Sequence, residues 1–121
     1  MKILVVDDSK PIFMMVSQML TELGHQTVWA EDGQKAVQVL SEQPDVGLIL
    51  LDWNMPVMNG LEFLELNQQD KFFTNPIVMM TTENSPEKIQ KALENGASDY
   101  IMKPFTADIL QNKIEMAIDM M

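Results

Sequence analysis

The sequence has no cysteine, no arginine and a single histidine, and each absence removes a class of chemistry. Without cysteine there is no disulfide, no thiolate metal ligand and no thiol nucleophile. His25 stands alone, so neither a multi-histidine zinc site nor a serine–histidine–aspartate triad can be assembled. All 8 basic residues are lysines, set against 18 acids, for a formal net charge of -10. That balance argues against nucleic-acid binding and against docking on anionic membranes, both of which depend on clustered positive charge. No apolar run approaches the roughly 18 residues of a membrane span. The apolar start at 3–6 is too short for a signal peptide and is followed at once by acids. A cytoplasmic location, with neither nucleic acid nor membrane as partner, is therefore expected.

What is present fits one soluble α/β domain covering 1–121. The hydrophobic share of 46% and charged share of 21% over 121 residues can supply a single core. Five short apolar runs recur at 3–6, 27–30, 46–51, 77–80 and 100–102. Between them lie stretches with helical spacing. Ile12, Val16, Met19, Leu20 and Leu23 share a stripe that ends at Gly24. Ala36, Val37 and Leu40 follow, stopping before Pro44; Leu61 and Leu64 follow a start near Asn59. Ser85-Pro86 reads as N-cap and first helical residue for Ile89, Ala92 and Leu93, with Asn95-Gly96 closing the helix. Leu110, Ile114, Ala117, Ile118 and Met121 mark the last helix. Alternating strands and helices of these lengths predict βα units, hence a doubly wound five-stranded parallel sheet covered on both faces. The third run lacks polar alternation, as a central strand does.

The chemistry lies just after each run. Asp7-Asp8 follow the first, Asp52 the third, Thr81-Thr82 the fourth and Lys103-Pro104 the fifth. In a parallel sheet the carboxyl ends share one edge, where open α/β sheets bind ligands. Three carboxylates meeting there would repel one another unless a cation lay between them, and all-oxygen ligation with several waters suits Mg²⁺. An aspartate can also attack phosphorus and carry an acyl phosphate. Phosphoryl transfer then needs positive charge and hydrogen-bond donors on the equatorial oxygens, roles that a metal, Lys103 and Thr81 can fill.

On these residues the chain resembles the response-regulator receiver family, from Lys2 to about Met120. Asp7-Asp8, Asp52, Thr81 and Lys103-Pro104-Phe105 stand in family order, and Leu51-Asp52-Trp53-Asn54-Met55-Pro56 with Asn59-Gly60 resembles its phosphorylation loop. Each motif alone is weak; five in order are specific. The stretch 96–107 is most similar to single-domain chemotaxis receivers. The resemblance implies a flavodoxin-like (βα)5 fold with strand order 2-1-3-4-5. It implies Asp52 as phosphoacceptor, and Asp8 and Asp52 as direct Mg²⁺ ligands. Asp7 would act through water, with the backbone carbonyl of Asn54 completing the set. Lys103 would contact the phosphoryl group, with a cis bond before Pro104. Thr81 and Tyr100 would form the switch pair, while Asn54 and Glu83 would tune dephosphorylation. Thr82 departs from the small residue many relatives carry and bears on access to the phosphoryl group.

A receiver of this kind is a phosphoacceptor with self-catalysed transfer and slow autodephosphorylation, and not a turnover enzyme. The implied partners are a sensor histidine kinase and a downstream protein such as the flagellar motor switch. The latter would be met by the 86–118 face, with Tyr100, Lys88, Lys91, Glu94 and Lys113, and the chain is expected to be a monomer. No output domain is expected after the fifth helix. A receiver excised from a multidomain regulator is one alternative. An aspartate-nucleophile, Mg²⁺-dependent phosphatase is another, although no cap or substrate pocket fits in this length. A flavin carrier fails because Asp7-Asp8 occupy the loop a flavin phosphate needs, and the intact acidic site argues against a purely structural module.

Several features have plainer readings. Asp7-Asp8 could merely cap the first helix. His25 reads as a surface loop residue and Trp53 as surface packing that could also report on the site. The 12 methionines read mainly as core filling at positions such as Met19, Met79 and Met80, with Met55, Met58 and Met116 set aside for partner contact.

Overall fold

The computed structural model describes residues 1–82 and 85–119. Each apolar run becomes a strand: β1 (Lys2–Val6), β2 (Gln26–Ala30), β3 (Val46–Asp52), β4 (Ile77–Thr81) and β5 (Asp99–Met102). The helices are α1 (Lys10–Glu22), α2 (Gly33–Glu42), α3 (Gly60–Asp70), α4 (Pro86–Glu94) and α5 (Ala107–Asp119). All pairings are parallel, and the 5 strands lie in the order β2-β1-β3-β4-β5. This is the expected doubly wound, flavodoxin-like arrangement.

Strand parity divides the core into two layers, because successive side chains point to opposite faces. Ile3 and Val5 of β1, Leu48 and Leu50 of β3, and Val78 and Met80 of β4 pack with α1 and α5. Leu4 and Val6, Ile49 and Leu51, and Ile77 and Met79 pack with α2, α3 and α4. Leu48, Ile49, Leu50 and Leu51 are all 0% exposed, so β3 is buried on both faces. At roughly 1.5–3 kcal/mol for each fully buried aliphatic side chain, this strand is the anchor of the sheet. α4 is the opposite case: its one buried residue is Ala92.

Local signals set the helix ends. Ser9, rather than Asp7 or Asp8, caps α1 by accepting from Ile12 N, and Asp32 caps α2 by accepting from Lys35 N. Asn59 and Glu62 form a reciprocal capping box on α3. Gly24 and Gly96 follow α1 and α4 at φ 90 and 104, a conformation that side chains resist.

Some expectations shift. Phe63 and Leu64 are the buried pair of α3, with Leu61 half-buried, so the stripe is turned by one position. Leu93, expected inside, is exposed, because α4 rests on the sheet through Ala92 and its neighbour Ile89 only in part. Ser85 occupies the N-cap of α4, but among the described residues its side chain makes no capping bond. Met121 lies outside the described residues. Met79 and Met80 are core and Met19 packs on its margin, while Met14, Met15 and Met116 are exposed. Met55 and Met58, set aside for partner contact, are half-buried and pack against the α2–α4 layer. Met58 lies over Gly33, where an added Cβ would meet its Cγ at 2.8 Å. His25 sits in the α1–β2 turn as expected but is half-buried, with Nδ1 3.2 Å from the N-terminal amine. Partial burial, and then the charge of that amine, lower its pKa. No helix is long and apolar enough to cross a membrane among the described residues.

Candidate functional site

Parity also explains why the site assembles. Asp7 continues the alternation of Ile3 and Val5, Asp52 that of Leu48 and Leu50, and Lys103 that of Ile101, all toward the α1/α5 layer. Thr81 and Tyr100 take the other parity, toward α4. The sheet therefore delivers two acids and a lysine to one side of its carboxyl edge, with Asp8 at the exposed rim beside them, and the expected switch pair to the other.

Asp7, Asp8 and Asp52 each offer a carboxylate oxygen within 4.8 Å of the others. Asp7 is 1% exposed and Asp52 8%, while Asp8 is open to solvent. The ammonium of Lys103 donates to Asp7 Oδ2 at 2.9 Å and to Asp52 Oδ1 at 3.0 Å. Asp7 Oδ1 accepts from Ser9 N at 2.9 Å, so Asp7 is fastened through both oxygens. Burial raises the Asp52 pKa; Lys103 opposes this, and the charges of Asp7 and Asp8 add to it. Burial pulls Lys103 down, but its hydrogen bonds and charge interactions with Asp7 and Asp52 outweigh this, and its pKa is raised.

Three carboxylates against one ammonium leave local negative charge, and the donor set is entirely oxygen. Both facts fit a hard divalent cation such as Mg²⁺, and the exposed Asp8 gives it a route in. Receiver domains bind Mg²⁺ at an acidic pocket of this kind.

The β3–α3 turn is held close. Gly60 N donates to Trp53 O at 3.0 Å, and a Cβ on Gly60 would lie 2.4 Å from Asp52 O. The expected Asn59-Gly60 pair thus caps α3 and lets the chain pass against Asp52. Asn54 is exposed in this turn, two residues beyond Asp52. Val57 takes φ 68, an unusual conformation for a branched residue, and is 73% exposed.

Thr81 is the last residue of β4 and is buried; Thr82 beside it is exposed. Lys103 N donates to Thr81 O at 2.8 Å, tying the two strand ends together. The Lys103–Pro104 peptide is cis, as expected. Thr81 and Tyr100 line one small cavity with Trp53, Met79, Ile89 and Ala92. Glu83 lies outside the described residues.

Three residues escaped the sequence reading. Trp29 Nε1 donates to the backbone carbonyl of Asp7 at 2.8 Å. Asp99 accepts from Lys113 Nζ at 3.1 Å and from Tyr100 N at 2.7 Å. Ser9 supplies its amide to Asp7 as well as its N-cap. Position at a strand end was the available signal for Trp29 and Asp99. Lys113, expected on the output surface, is half-buried, paired with Asp99, and 4.8 Å from the Tyr100 ring centroid.

Comparison with known proteins agrees with this geometry. The pattern of the response regulator receiver domain matches residues 3–115. A chemotaxis protein CheY homolog of Campylobacter jejuni is 43% identical over 117 residues, covering 95% of this chain and 90% of that protein. Chemotaxis protein CheY1 of Helicobacter pylori is 39% identical over 120 residues, covering 98% and 97%. The solved structure of CheY4 from Vibrio cholerae superposes with a TM-score of 0.87 at 38% identity, covering 96% of this chain and 97% of that one. With its strand order, its acidic cluster and these relatives in agreement, the chain belongs to the response-regulator receiver family, as a CheY-like receiver of phosphorylation-dependent two-component signalling.

Proposed function

We propose that 1–121 is one receiver domain that takes a phosphoryl group on Asp52. An oxygen of the Asp52 carboxylate attacks phosphorus as the bond to the donor's leaving group breaks, giving an acyl phosphate. Asp52 suits this role because Lys103 already touches one of its oxygens, so positive charge stands ready beside the new phosphoryl group. Lys103 Nζ passes from the carboxylate to a phosphoryl oxygen, and the Thr81 hydroxyl donates to another. Asp7, Asp8, Asp52 and the Asn54 carbonyl would hold Mg²⁺, which supplies further charge to the equatorial oxygens when bound. Asn54 and Glu83 set how readily water reaches the acyl phosphate.

Thr81 then draws on the α4 side, where Tyr100 lines the same cavity. Because α4 buries only Ala92, little packing opposes its movement. The groove of Pro86, Ile89, Leu93, Tyr100 and Met102 lies within the 86–118 face and is the surface read by a downstream protein. By analogy with the chemotaxis relatives, that protein is the flagellar motor switch, the donor is a sensor histidine kinase, and the chain works as a monomer in the cytoplasm. The phosphatase alternative is disfavoured because the relatives matched along nearly their whole length are chemotaxis response regulators.

The observation that carries this reading is the convergence of Asp7, Asp8 and Asp52 around one lysine. Acetyl phosphate with Mg²⁺ should add one phosphoryl mass to the intact protein and none to D52N. Equal addition to both, or to neither, would refute it. Sustained hydrolysis of a phosphate monoester would favour the phosphatase.

A further inference from the structure

The peptide that joins Asp7 to Asp8 is held from outside the acidic cluster. Asp7 N donates to Ala30 O at 3.1 Å, which is the last rung between β1 and β2. Beyond it the chain leaves β1, which ends at Val6, and enters α1 at Lys10. Trp29 Nε1 meets that carbonyl at 2.8 Å. The Trp29 ring is fixed in turn by stacking on Phe13 of α1, with centroids 5.2 Å apart and planes at 14°. Phe13 N donates to Ser9 O at 3.0 Å, and Ser9 N donates to Asp7 Oδ1 at 2.9 Å. The contacts close a ring: Asp7 carboxylate, Ser9, Phe13, Trp29, Asp7 carbonyl.

Asp7 and Asp8 differ in what orients them. Asp7 is buried and bonded through both carboxylate oxygens. Asp8 is exposed, so its direction depends on the backbone that carries it. The Asp7 carbonyl and the Asp8 amide belong to one rigid peptide plane. A hydrogen bond that fixes the carbonyl therefore fixes the vector along which Asp8 leaves the sheet. We infer that Trp29 is a positioning residue for divalent-cation binding, orienting Asp8 through the Asp7–Asp8 peptide. This rests on the reading of Asp7, Asp8 and Asp52 as a cation site. Groups that orient ligands from behind commonly govern metal affinity as strongly as some ligands do.

W29F separates the two contributions of the indole, since phenylalanine keeps a ring for Phe13 and loses the N–H. Mn²⁺ can be titrated into wild type, W29F, D8N and the double variant, counting free ion by its electron paramagnetic resonance signal. Each protein is also melted in EDTA. W29F should weaken Mn²⁺ binding about three- to tenfold. In the D8N background, the same substitution should have little further effect, because the group it orients is no longer a charged ligand. A merely structural tryptophan would lower the melting temperature in EDTA and leave Mn²⁺ affinity unchanged. Wild-type affinity in W29F, or an equal loss with and without D8N, overturns the inference. If W29F does not fold, F13L takes its place: it frees the indole without touching the site, and unchanged affinity there overturns the inference as well. Failure of wild type to bind Mn²⁺ would instead overturn the cation-site reading, and the inference with it.

Discussion

The ammonium of Lys103 lies 3.0 Å from Asp52 Oδ1, joining residues 51 positions apart through the carboxyl ends of β3 and β5. The same nitrogen holds Asp7, so one lysine supplies the counter-charge of both buried acids and competes with any cation for their oxygens. Its side chain is 13% exposed, well below the level at which solvent screening would erase the interaction.

Replacing Lys103 by methionine should therefore have two opposite effects. In EDTA the variant should lose roughly 2–4 kcal/mol of stability, because buried acids are left without their counter-charge. Its Mg²⁺ affinity should rise, because the competing ammonium has gone. Denaturant unfolding with and without Mg²⁺ measures both, and weaker Mg²⁺ binding by K103M would contradict the competition.

The raised pKa of Asp52 fixes the direction of a pH effect. A folded value above the unfolded one means the native state binds the proton more tightly. Asp52 thus favours folding most fully below the unfolded carboxylate range, and that contribution is lost as pH rises through the raised value. D52N cannot ionise there, so in EDTA it should melt above wild type at neutral pH. The gap should close on acidification into the carboxylate range. A constant gap across the range would show that burial and the neighbouring acids are not its cause.

Gly60 is required by close approach. A Cβ there would lie 2.4 Å from Asp52 O and 3.2 Å from Trp53 Cα, both backbone atoms that cannot turn aside. G60A should cost about 1–3 kcal/mol and slow phosphorylation by acetyl phosphate in the protein that remains folded. G24A is the contrast: its Cβ meets nothing within 4 Å, and only the positive φ opposes it. It should cost about 1 kcal/mol and leave the phosphorylation rate alone.

Val57 is strained and solvent-facing, with φ 68 and 73% exposure. V57G or V57N should raise stability by about 1 kcal/mol, since the left-handed conformation costs a branched side chain that much and little packing is lost. Chemical denaturation of the three proteins decides it; equal midpoints would mean that the turn adopts another conformation.

The acids were readable because a parallel sheet puts every strand's carboxyl end on one edge, so Asp7, Asp8, Asp52, Thr81 and Lys103 could be grouped from position alone. Their division was not. Parity sends Asp7, Asp52 and Lys103 toward α1 and α5 and Thr81 and Tyr100 toward α4, and parity depends on where each strand begins within its apolar run. Lys113 was placed on the output surface from its helix alone, and its pairing could not be read there because Asp99 lies on another element.

Sequence by itself determined the class of fold, the order of its elements, the helix starts at Asn59-Gly60 and Ser85-Pro86, and the exclusion of thiol and multi-histidine chemistry. These follow from composition and from interactions between residues a few positions apart. Only the tertiary structure decided that Phe63 rather than Leu61 faces the core, that Leu93 is left outside, and that Met58 covers Gly33. It also decided that Trp29 grips the Asp7 carbonyl. Each is a contact between distant segments, set by strand register and by which side chain reaches a gap first. Absence of cysteine and arginine excluded chemistries; packing across the sheet arranged the carboxylates and lysines that remained.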